Sequence, residues 1–98
     1  MAVNRKLTGI LKGRVIKAGR ASPTELAILF EDGSTLKAKI SETIILQMPE
    51  GARIRGLHEQ NADFVIECDD DKVLELNLAH PGSSVEVLGG KNQVEYLG

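Results

Sequence analysis

Short apolar runs separated by turn-forming residues recur along the whole chain. The turn signals are Gly19 to Pro23, Glu31-Asp32-Gly33, Pro49-Glu50-Gly51, Gln60-Asn61-Ala62, Asp69-Asp70-Asp71, Pro81-Gly82-Ser83 and Gly89-Gly90-Lys91-Asn92. Between them, apolar and polar residues alternate with a period of two, the mark of strands with one buried face. The pattern predicts an all-β fold, a small barrel or two-layer sandwich of about seven antiparallel strands. No repeat, linker or low-complexity stretch divides the sequence, so residues 1–98 are expected to form a single β domain.

The alternation also sets strand register, because slipping a strand by one residue turns its apolar side to water. Leu26, Ile28 and Phe30 match Leu36, Ala38 and Ile40 only across an odd loop. A three-residue loop, Glu31-Asp32-Gly33, sets Ile28 opposite Leu36, Leu26 opposite Ala38 and Glu25 opposite Lys39. It also puts Gly33 at the left-handed position that such a loop needs. Phe64, Ile66 and Cys68 match Leu74, Leu76 and Leu78 through an odd loop across Asp69-Asp70-Asp71. Val85 and Val87 match Tyr96 and Val94 through an even one, Gly89 to Asn92.

Leu7 to Ala18 reads as a long first strand with Gly9 and Gly13 on one side, where missing side chains let it bend. Helix is expected, if anywhere, as one short turn near residues 41–48, with Ser41 as its N-cap. Thr43, Ile44 and Ile45 favour extended chain there instead.

Composition narrows the function. Of the 98 residues 42% are hydrophobic and 27% charged, as in folded soluble domains. Phe30, Phe64 and Tyr96 are the only aromatics, so the core must be built mainly from Leu, Ile and Val. The longest apolar run, Leu26 to Phe30, is far too short to span a membrane. Arg5, Lys6 and Lys12 interrupt the first thirteen residues, which do not read as a signal peptide. A lone cysteine, Cys68, cannot form an internal disulfide. The expected location is cytoplasmic, with no membrane association. Charge is uneven: residues 1–24 hold six Lys or Arg and no acid, residues 25–98 six basic residues and fourteen acids. Such asymmetry marks either a basic binding face or a basic first strand lying beside acidic later ones.

Catalytic and metal-binding patterns are lacking. Asp69-Asp70-Asp71 has neither the alternating acids nor the glycine of a calcium loop and reads as a hairpin tip. No two of His58, Cys68 and His80 have the close spacing of a zinc pair, and Cys68 falls in phase with the buried Phe64 and Ile66. His80, before Pro81-Gly82, is a turn residue. No nucleophile elbow or phosphate-binding glycine loop is present. Glu67 and Glu75 fall on the outer face of their hairpin, without a pocket to tune them. No cofactor, metal or enzymatic activity is expected.

The leading expectation is a protein-interaction module that binds a partner protein or itself. A β domain with open edges is prone to both. If Asn92 to Gly98 lies at a sheet edge, Leu88 and Leu97 are exposed on the face opposite Tyr96. A second expectation is single-stranded nucleic-acid binding through paired cations: Lys12 and Arg14 on the first strand, Lys37 and Lys39 on the outer face of a later one, Arg53 and Arg55 on another. Phe30-Glu31-Asp32-Gly33, Leu36-x-Ala38-x-Ile40-Ser41 and Met48-Pro49-Glu50-Gly51-Ala52-Arg53-Ile54 form a segment that resembles the middle of OB-fold domains such as bacterial translation initiation factor one. That resemblance implies a small barrel that binds single-stranded nucleic acid. The aromatic platforms that such binding uses are scarce here. A third expectation is a small ligand held in the mouth of a barrel.

Overall fold

The structure, a computed structural model, describes residues 2–41 and 48–98. Among the described residues nine strands and one helix follow in order: β1 (Ala2–Val3), α1 (Arg5–Leu11), β2 (Ile16–Ala21), β3 (Glu25–Phe30), β4 (Thr35–Lys39), β5 (Ile54–Gln60), β6 (Asp63–Cys68), β7 (Val73–Asn77), β8 (Val85–Leu88) and β9 (Val94–Leu97). They form two antiparallel sheets, ordered β1-β5-β6-β7 and β2-β3-β4-β8-β9. The all-β fold is therefore a sandwich-like pair of sheets and not a closed barrel. The expected turn of helix at 41–48 falls mainly on residues 42–47, outside the described ones.

Two hairpins take the registers that alternation requires. Ile28 faces Leu36, Leu26 faces Ala38 and Glu25 faces Lys39. The loop between them has three residues, closed by Phe30 N–H donating to the Ser34 carbonyl, with Gly33 at φ +88°. Phe64 faces Leu76 and Ile66 faces Leu74, around the three aspartates. Both registers put every large apolar side chain of these strands, other than Leu29 and the partly exposed Val65 and Val73, on the inner face. Phe30, Phe64 and Cys68 are all buried in the core between the sheets.

Two expectations fail. The first strand does not run from Leu7 to Ala18, because Arg5–Leu11 is a helix. Asn4 caps it by accepting a hydrogen bond from Leu7 N–H, and Gly13 (φ +90°) follows its end. Leu7 and Leu11, one turn apart, are fully buried, so the apolar spacing that counts is four, not two. The last hairpin has no four-residue loop. Gly89 N–H donates to the Gln93 carbonyl around Gly90 to Asn92, with Asn92 at φ 62°. A bulge at Glu95 then restores the parity, so Val87 faces Tyr96 and not Val94.

The N-terminal segment straps the two sheets together. Asn4 Nδ2 donates to Glu59 Oε1 on β5 and to Tyr96 Oη on β9, both at 3.1 Å. Two isolated bridges, Val15 with Arg53 and Ile40 with Leu78, join the two sheets without continuing their ladders. The interior is filled by side chains from both sheets and from α1. The reading of a ligand in a barrel mouth needs a closed barrel, which these sheets do not form. The segment resembling an OB-fold keeps its hairpin and its turn at Gly51 (φ +85°) but sits within this two-sheet arrangement.

Candidate functional site

Cross-strand neighbours share a face, so the registers of the five-stranded sheet define rows across it. One row is Ala18–Leu29–Thr35–Leu88–Val94. It crosses all five strands, carries no charge and lies on the side away from the core. The next row on the same face is Arg20–Ala27–Lys37–Glu86–Leu97. Leu29, Val94 and Leu97 are 36%, 59% and 75% exposed. The last strand lies at a sheet edge, and Leu97 is exposed; Leu88 is half-buried. Ala18, Gly19 and Ala27 have small or no side chains. Between Arg20, Leu29 and Thr35 they leave a shallow hollow of about 260 Å³. On the inner side of β2, the Met48 thioether occupies the space a side chain at Gly19 would take.

The six cations expected to bind nucleic acid do not form one group. Lys37 and Lys39 lie on the outer face of β4, opposite Glu86 and Glu25. Lys12 is the C-cap of α1 and not a strand residue, so it shares no strand face with Arg14. Arg14 is consumed by a clasp. Its guanidinium donates to Ser34 Oγ (2.8 Å) and to both carboxylate oxygens of Glu95 (3.1 and 3.3 Å). Its Nε lies 3.7 Å from Asp32 Oδ2. The Ser34 hydroxyl in turn donates to Asp32 Oδ1, as does Ser34 N–H at 2.9 Å. These bonds from Ser34, more than the charge of Arg14, hold the Asp32 carboxyl below its ordinary value. Here basic N-terminal and acidic later residues do pair. Arg53 Nη1 donates to the Gly13 carbonyl at 3.0 Å, and its backbone N–H to Asp69 Oδ1.

Lys12 and Arg55 do meet. With Val3, Thr8, Gly56, His58 and Glu67 they line an open depression of about 330 Å³ beside α1. Glu67 bridges His58 Nε2 (3.1 Å) and Arg55 Nε (3.8 Å). Thr8 Oγ1, the hydroxyl beside them, accepts from Leu57 N–H (3.0 Å) and donates to the Leu57 carbonyl (3.4 Å). It has no proton free for a base to take. Glu75 faces Val65, so Glu67 and Glu75 are diagonal neighbours. Cys68 is fully buried, and burial pushes its thiol up from the ordinary range.

No helix of the described residues is long and apolar enough to cross a membrane. Comparisons with protein-family models, with curated proteins and with solved structures find no match to the chain. The site therefore rests on geometry alone. Sequence inspection picked out Leu88 and Leu97 but missed Ala18, Ala27, Leu29 and Val94. Each strand gives the apolar row a single residue, so only the complete register assembles it.

Proposed function

We propose that the chain is a non-catalytic protein-interaction module of the cytoplasm whose contact surface is the outer face of the five-stranded sheet. The observation that supports it is the uncharged row Ala18–Leu29–Thr35–Leu88–Val94, which crosses the outer face of the whole sheet with Leu29 and Val94 exposed. A continuous apolar strip on one face marks an interaction surface, whereas scattered apolar residues do not. A photo-crosslinking side chain in place of Leu29 is expected to trap a protein in cells. The same group in place of Glu75, on the outer face of the other sheet, is expected to trap none. Equal or absent crosslinking at the two positions would sink the reading.

Single-stranded nucleic-acid binding is a second reading, favoured by the meeting of Lys12 and Arg55 in one depression. It requires binding to labelled single-stranded RNA or DNA that weakens steeply with salt and drops in Lys12→Glu and Arg55→Glu. No binding at low salt ends it.

A further inference from the structure

We propose that two copies of this chain pack outer face to outer face about a two-fold axis that runs along the strands between β4 and β8; this rests on the reading of that face as an interaction surface. A two-fold interface brings one patch against itself, so the patch must be self-complementary. The two rows meet that demand when the axis lies between β4 and β8. Turning a copy over about a line between β4 and β8 lays β4 on the second copy's β8 and β3 on its β9. In the first row Thr35 then meets Leu88, and Leu29 meets Val94. In the second, Lys37 meets Glu86 and Ala27 meets Leu97. Every contact occurs twice.

The match is specific in shape and charge. Leu97, 75% exposed, is the most exposed of the described large apolar side chains, and it lands on Ala27, at the edge of the 260 Å³ hollow. Lys37 and Glu86 face each other across the β4–β8 pair, yet neither forms an ion pair among the described residues. Each charge is free for its opposite number on the second copy. Moving the axis half a strand spacing, onto β4 itself, sets Lys37 against Lys37 and Leu97 against Arg20. The charges thus favour the first of these two placements. Stacked sheets lie about 10 Å apart, a distance that the side chains of the two faces fill. Four overlapping strands span only about 19 Å. An interface of that width is at the small end of specific contacts, so association is weak and concentration-dependent.

Sedimentation equilibrium across a wide concentration series tests this. The unaltered chain is expected to move from one-chain to two-chain mass as concentration rises. Lys37→Glu alone and Glu86→Lys alone are each expected to weaken association at least tenfold. An equimolar mixture of these two variants is expected to dimerise again, because position 37 of each variant then meets the opposite charge at position 86 of the other. Charge effects inside one chain cannot produce that restoration. A chain that stays monomeric throughout overturns the proposal, as does a dimer that ignores both changes or a mixture that stays apart. If the chain is monomeric while the Leu29 crosslinker traps another protein, the interaction surface stands and the self-pairing falls. If the crosslinker also traps nothing, both fall.

Discussion

At the scale of single residues, the Arg14 guanidinium gathers Ser34, Glu95 and Asp32 into one clasp. It ties the segment between α1 and β2 to the β3–β4 turn and to β9 through one guanidinium. Replacing it with Met is expected to cost about 1–2 kcal/mol in urea unfolding, since Glu95 and the buried Ser34 lose a charged donor while solvent screens part of the loss. Asp32 adds an acid limb. Its carboxyl is held below the ordinary 3.8 in the folded state. Its contribution is thus complete above that value and lost as pH falls through the lower folded value. Asp32→Asn is expected to flatten the stability profile below about pH 4 and leave the alkaline side unchanged. Cys68 works in the opposite direction. Its thiol is raised above 9.0, so its contribution is complete below that pH and lost as pH rises through the folded value. A disulfide reagent is expected to leave Cys68 unmodified in the folded chain and to react at once on unfolding.

At the scale of elements, glycine conformation and buried anchors decide which local structure wins. Gly33→Ala is expected to cost about 1–2 kcal/mol, because an alanine at φ +88° is left-handed. Leu11→Ala is expected to cost about 2–5 kcal/mol by emptying the seat that holds α1 against the sheets. Both can be read from denaturant midpoints at constant slope. The β3–β4 and β6–β7 hairpins were legible in the sequence, because wrong registers there expose several large side chains at once. Helix α1 was not. Seven residues carry Leu7, Gly9 and Leu11 at a spacing of two, and also Leu7 and Leu11 at four, so periodicity is ambiguous. Contacts far along the chain resolve it, such as Thr8 with the Leu57 backbone. The last hairpin shows a second limit. Parity calls for an even count, and a three-residue loop plus the Glu95 bulge satisfies it as well as a four-residue loop does.

For the whole molecule, the two sheets differ in what they show to water. The four-stranded sheet carries Glu67 and Glu75 outward; the five-stranded sheet carries the apolar row. Leu97→Asp is expected to leave unfolding free energy within about 0.5 kcal/mol, because the side chain is mostly exposed, yet to abolish two-chain mass in sedimentation. A loss of both would mark Leu97 as a core residue instead. In the sequence, charge is the conspicuous cue to a binding face, and it points to six cations that the fold does not bring into one group. The apolar row stayed hidden because none of its members is unusual alone. The strap has a further effect, on the order of folding. Asn4 meets Tyr96 and Arg14 meets Glu95 across 92 and 81 positions. Such distant pairs close late and slow the approach to the native state. During synthesis, Asn4 and Arg14 must therefore wait for β9 to emerge. Until then the seam between the sheets stands open, and a chain halted short of residue 95 exposes the core flank that the strap later seals.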